Sequence, residues 1–231
     1  MSKLHFVFYF LVIHFFLISQ QSFNKDYLVV SASIGIPHTL KSVAKLATKT
    51  DAFKNYFNGK IDVSVKGINP IAIKGEYGIS NNFGVGICFA SWNMKIDVID
   101  YYSILHTSQT STTNEIDTYK FNISSSSFGI RPNFHFPLQN RRHDVYIGAG
   151  LGFTKNSLAV NFSSTDVNKI LPINHYQFSL PGGFYFAPTV GYRAYFNDYF
   201  GLNFDFGWEK GAIIQAGLVF KLDVRQVKNE K

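Results

Sequence analysis

The sequence predicts an all-β fold, a single eight-stranded antiparallel up-and-down transmembrane β-barrel. Three observations lead there. Apolar side chains recur with a period of two over most of the chain from Asp26 onward, the side-chain period of strands. Only 16% of residues are charged while 24 are Phe and 13 are Tyr, too few charges to clothe an ordinary water-facing surface. The links between the runs alternate short and long, as they do in barrels that cross an outer membrane.

The chain opens with Lys3 and an almost wholly apolar run from Leu4 to Ile18, followed by small or polar residues at Ser19 to Ser22. A basic end, a short greasy stretch and small residues are the pattern of an export signal. At ~1.5 Å per residue the run falls short of the ~30 Å hydrocarbon core, so it does not read as an anchor. Residues 1–22 are expected to be a signal peptide cleaved near 19–22. Its removal takes away Lys3 and lowers the formal charge from +7 to +6. Cys88 is the one cysteine, which excludes an intramolecular disulfide framework. The Lys and Arg are scattered, which argues against nucleic acid as a partner.

The barrel is expected over 23–222. The first strand runs from Tyr27 to Ile36. The second ends at Ile79 and extends back to Ile61, because Ile61, Val63, Val65, Ile71, Ile73, Tyr77 and Ile79 share one parity. After the turn Ser80-Asn81-Asn82 comes the third, Phe83 to Trp92. The fourth ends at Phe136, and the fifth is Val145 to Phe153. The sixth carries Phe184, Phe186, Val190, Tyr192 and Phe196, the seventh Phe200 to Trp208, and the eighth Ile214 to Leu222. Between the first two strands, residues 40–58 carry Val43, Leu46, Ala47, Thr50, Phe53 and Phe57 at three-to-four spacing, with Lys41, Lys45, Lys49 and Lys54 largely elsewhere, which predicts an amphipathic helix. It either caps the outer mouth or lies on acidic head groups. Residues 223–231 read as a polar tail.

Alternation alone does not say which face meets water, but residue size does. One parity holds Gly84, Gly86, Cys88 and Ala90 in the third strand and Gly148, Gly150 and Gly152 in the fifth, suited to a narrow barrel interior. The other carries Tyr77, Phe83, Phe136, Phe153, Phe184, Phe196, Phe200 and Trp208 at strand ends, where interfacial aromatic girdles sit. This places Lys74, Glu76, Arg131, His135, Arg193, Asn203, Asp205 and Gln215 inside, with Asn133 and Lys221. Buried charges must be paired, so one polar network plugging the lumen is expected, with no open diffusion pore.

The stretch Glu76 to Gly86 resembles the second hairpin of small eight-stranded outer-membrane proteins of the OmpA-barrel and OmpX type, and of the porin-like outer-membrane β-barrel chains of Bacteroidetes. The residues Gln215, Gly217, Phe220 and Leu222 are similar to the last-strand signal read by the barrel-assembly machinery; family chains often stop near that aromatic, whereas this one continues to Lys231. The resemblance implies the outer membrane of a Gram-negative bacterium. Its implied partners are outer-membrane lipids and lipopolysaccharide, the assembly machinery during biogenesis, and a surface ligand of the long loops. It implies a structural or loop-displaying role, with a carrier of small hydrophobic molecules or a lipid-modifying enzyme as the alternative.

The residues His106, Thr107 and Ser108 with Glu115 resemble the His-x-Ser and Glu set of outer-membrane lipid A deacylases. The spacing to Glu115 differs and the segment is polar loop, so no enzyme is expected. His135, His143 and His175 have no partner at ligand spacing, so neither a metal nor a cofactor is expected.

Overall fold

The computed structural model describes residues 22–36, 38–55, 60–105, 112–138, 140–166, 175–209 and 211–225. Within them β1 (Tyr27–Ile36) is followed by α1 (Thr39–Ala47), α2 (Asp51–Asn55), β2 (Lys60–Gly78) and β3 (Phe83–Leu105). Next come β4 (Thr112–Phe136), β5 (His143–Ser164), β6 (His175–Tyr195), β7 (Phe200–Glu209) and β8 (Ala212–Asp223). Each strand pairs antiparallel with the next, and β1 pairs with β8, for example Ala32 opposite Leu218, so the sheet closes on itself. The predicted signal peptide falls outside the described residues except for Ser22. Of the predicted tail, Asp223 ends β8, Val224 and Arg225 are described, and 226–231 are not.

The two ends of the barrel differ. At one end lie the start of β1, the end of β8 and short turns. Ile79 N–H and Ser80 N–H both donate to Phe83 O, a turn closed by the backbone, and Asn197 Oδ1 accepts from the backbone of Tyr199 and Phe200, a turn completed by a side chain. At the other end β2 to β6 rise well past β1, β7 and β8. These extensions occupy much of what the sequence marks as long polar loops between strands three and four and between five and six. Ser, Thr and Asn are ordinary strand residues when one face meets water, so their polarity signalled exposure and not irregular structure.

Outward polarity changes along these long strands. In β4 the outward residues from Phe136 to Phe128 are apolar or proline, about 26 Å of strand at ~3.3 Å per residue. Beyond that level the pattern inverts: Ser126, Ser124, Asn122 and Lys120 face out, while Ile123, Phe121 and Tyr119 face in. In β3 Ser91, Asn93 and Lys95 face out over buried Trp92, Met94 and Val98. In β2 the inversion requires a change of parity, which a bulge between Ile68 and Ile71 supplies. Ile61, Val63 and Val65 therefore do not share a face with Ile71 and Ile73, as their common parity predicts, but point inward beside β3.

The helical stretch of the first long link divides. Thr50 Oγ1 donates to Ala47 O (2.7 Å) and accepts from Phe53 N–H (3.4 Å), ending α1 and capping α2 with one side chain. The segment is fastened at the end opposite the short turns: Thr39 N–H and Oγ1 donate to Gly211 O (2.9 and 2.8 Å), and Lys41 Nζ donates to Gly67 O (3.2 Å). Buried His38 sits edge-on to Trp92, ring centroids 5.0 Å apart. Burial and the nearby Lys41 ammonium lower its affinity for a proton below the ordinary imidazole value.

Candidate functional site: the charged interior

All eight residues assigned to the interior are buried, and they form one connected array in the terminal half of the barrel. The strand period puts Lys74 and Glu76 on the inner face of β2, Arg131, Asn133 and His135 on that of β4, Arg193 on β6, Asn203 and Asp205 on β7, and Gln215 on β8. At the mouth-side pole, Lys74 Nζ reaches Asp205 Oδ2 (2.9 Å), Glu209 Oε2 (2.7 Å) and Gln215 Oε1 (2.8 Å). Arg131 donates to Glu209 Oε1 and Oε2 (3.1 and 2.9 Å), Asp205 Oδ1 (3.1 Å), Thr189 Oγ1 (2.5 Å) and Asn133 Oδ1 (3.1 Å).

At the other pole, Arg193 donates to Glu76 Oε2 (2.6 Å) and Asp144 Oδ2 (3.1 Å), and the same two carboxylates receive His135, at 2.7 Å and 2.8 Å. His135 thus bridges the two carboxylates with one ring. With that ring protonated, Lys74, Arg131, Arg193 and His135 stand against Glu76, Asp144, Asp205 and Glu209, four charges of each sign. The poles are joined by Tyr146, whose hydroxyl donates to Asp205 Oδ1 (2.7 Å) while Arg193 lies over its ring at 4.3 Å, and by Asn203, which touches both Arg193 and Asp205. Glycines on the inner face leave the room: a Cβ on Gly191 would collide with the Tyr146 ring, and one on Gly84 with the Glu76 carboxylate.

Asp144, Glu209 and Phe23 were not among the interior residues expected from the sequence. Asp144 lies one residue before the expected start of strand five, with the parity of Tyr146, so a longer strand would have included it. Glu209 lies one residue past the expected end of strand seven, with the parity of Asn203 and Asp205, so there too a longer strand would have included it; Gly207 between them has φ +153°, a conformation suited to glycine. Phe23, beside the expected cleavage point, carried no signal at all. Its ring stacks on His135 at 3.6 Å and 3°, and Lys221 Nζ donates to Ser22 O (2.9 Å), so the segment before β1 tucks into the short-turn end.

Gln215 and Gly217 of the assembly-signal set lie on the inner face, whereas Phe220 and Leu222 lie on the outer one. The aromatic residues assigned to girdles are all exposed, Phe153 at 73% and Trp208 at 61%. His106, Thr107 and Ser108 lie outside the described residues; Glu115 accepts from Thr165 Oγ1 (2.5 Å). Among the described residues no group of His, Cys, Asp or Glu is arranged to hold a metal ion.

Two spaces flank the array. A cavity of about 10 Å³ lies between Lys74, Glu76, Arg131 and Arg193, room for one water. Nearer the outer mouth, where β6 has passed the end of β7, a cavity of about 330 Å³ is lined by Leu40, Trp92, Tyr185, Phe186 and Trp208.

The chain matches no protein-family description and no curated protein. Among solved structures it is similar to the N-terminal β-barrel domain of Pseudomonas aeruginosa OprF, at 12% identity and TM-score 0.36 over 86% of this chain and 99% of that one. It is similar to Ail, the attachment invasion locus protein of Yersinia pestis, in complex with the heparin analogue sucrose octasulfate, at 11% identity and TM-score 0.39 over 86% and 99%. It is also similar to the outer membrane protein OprG of Pseudomonas aeruginosa, at 9% identity and TM-score 0.41 over 87% and 97%.

Proposed function

We propose that the chain is an outer-membrane barrel of a Gram-negative bacterium whose lumen is closed by its own ion pairs and whose role is to display the raised β2–β6 wall at the cell surface. The observation that carries this reading is the conjunction of an outward apolar belt with a neutral, hydrogen-bonded charge array inside it. A barrel folded for water reverses those faces. In the array the leftover space admits about one water, so there is no path for solutes. The short-turn end is then periplasmic, outer-membrane lipids and lipopolysaccharide surround the belt, and the last strand serves the assembly machinery. No catalytic role is part of this reading.

Purified protein in planar bilayers is expected to give no stable large conductance; steady porin-sized steps overturn the closed lumen. A mature polypeptide that remains a dissolved monomer without any amphiphile overturns the membrane placement.

The 330 Å³ cavity favours a second reading, a carrier of small hydrophobic molecules, because it adjoins both the lipid-facing Phe186 and Trp208 and the inward Trp92 and Tyr185. Saturable quenching of Trp92 and Trp208 fluorescence by an uncharged apolar probe supports the carrier, and unsaturable partitioning supports the structural role.

A further inference from the structure

We infer that the outer face of the β2–β3 hairpin, at the level where its polarity inverts, is a binding site for a lipid of the outer leaflet whose head group is an anionic phosphate monoester. The inference rests on the membrane placement proposed above.

Two features meet there. Below the bulge in β2, Ile68, Ile71, Ile73 and Phe89 line a shallow outward groove of about 260 Å³. It lies at the top of the apolar belt, and its isoleucine and phenylalanine lining suits an acyl chain. One rung above Ile68, Lys66 stands directly opposite Lys95. Directly opposed side chains on one face lie about 5 Å apart at Cβ, and like charges in that position repel. Both are exposed and neither makes an ion pair with a described residue. The nearest carboxylate along β3 on that face, Asp97, is two residues further on, where it stands opposite Ser64 and Lys120. A third ammonium arrives from α1: Lys41 Nζ is held at 3.2 Å on the carbonyl of Gly67, the residue after Lys66.

Three ammonium groups at a membrane surface, with a groove for hydrocarbon immediately beneath, match an anionic head group and its acyl chain. An anion bound between Lys66 and Lys95 also relieves a repulsion that the fold otherwise sustains.

The test uses the full mature chain, delipidated in an uncharged detergent and titrated with phosphatidic acid, phosphatidylcholine or inorganic phosphate, with bound ligand counted by native mass spectrometry. Phosphatidic acid is expected to be retained over phosphatidylcholine, and inorganic phosphate at equal concentration not to displace it. Lys66→Gln and Lys95→Gln should each weaken retention about fivefold, the contribution of one basic residue near an anionic surface. Ile68→Ser should weaken both lipids. Lys120→Gln and Lys155→Gln, on the same wall but away from the groove, should change nothing. The site is overturned if the Lys66/Lys95 double variant retains phosphatidic acid as the parent does, if the distant lysines matter equally, or if inorganic phosphate competes on equal terms. A chain that enters micelles yet shows no preference overturns this site alone; one that needs no amphiphile overturns the membrane placement as well.

Discussion

Replacing Arg131 with methionine keeps much of the side chain's volume and removes the charge that holds Glu209 and Asp205 together. The structure gives this guanidinium five hydrogen bonds, three of them to carboxylate oxygens, all in the buried interior. After the substitution Lys74 alone faces both carboxylates. Summing charged hydrogen bonds at ~1.5–3 kcal/mol each would overstate the loss, because the groups act as a unit. The applicable figure is about 3–5 kcal/mol for stripping one partner from a buried ion pair. Urea unfolding in vesicles, followed by Trp92 and Trp208 fluorescence, should therefore show an unfolding constant raised by roughly two to three and a half orders of magnitude, at roughly 1.4 kcal/mol per factor of ten. Adding Glu209→Gln should recover part of that loss, since Lys74 then serves Asp205 without a competing charge. A loss under about 0.5 kcal/mol together with strict additivity would mean that bulk water solvates these groups, and the closed-lumen reasoning would fail.

Three further outcomes follow from the same geometry. Gly191→Ala places a methyl group against the fully buried Tyr146 ring and should lower stability by about 1–3 kcal/mol in the same unfolding assay. Cys88, 2% exposed with Sγ beside Gly129 O and the Tyr185 hydroxyl, should resist a charged maleimide in the folded barrel and react at once in urea; fast labelling of the folded protein would contradict the packed interior. Hydrogen bonds from Arg225 hold the Asp223 carboxyl below the ordinary Asp range. Its small stabilising effect is present above the unfolded-state value and lost as pH falls through the folded one, so an NMR titration should find a low Asp223 midpoint that Arg225→Gln raises.

The barrel itself was legible because period-two alternation is a local property. Phe200, Leu202, Phe204 and Phe206 announce a strand without reference to anything else in the chain. Inside and outside were legible for a second reason: Gly84, Gly86, Gly148 and Gly152 are too small for a solvent face and their opposite parity too greasy. What failed was anything that depends on a single inserted residue. The bulge at Ile68–Ile71 sends Ile61, Val63 and Val65 to the other face. It does not alter composition, and a parity count slides past it. The upper halves of β3 to β6 were missed because their outer residues, such as Ser124, Asn122 and Lys120, look like loop when their inner partners Ile123 and Phe121 are not counted against them. Phe23 is harder still, since its burial depends on a His135 more than a hundred residues away.

The unequal height of the wall has a consequence for how the molecule reaches its final position. On the proposed membrane placement the tips of β2 to β6 pass through hydrocarbon to arrive on the far side, and their outer faces carry Lys66, Lys95, Lys120 and Lys155. Each basic side chain at the mid-plane raises the free energy by about 2–4 kcal/mol. That cost falls on the route alone and vanishes at the destination. Insertion into an unaided bilayer should accordingly be slow and quicken steeply as the bilayer thins, while the inserted protein, once across, is held there by the same barrier.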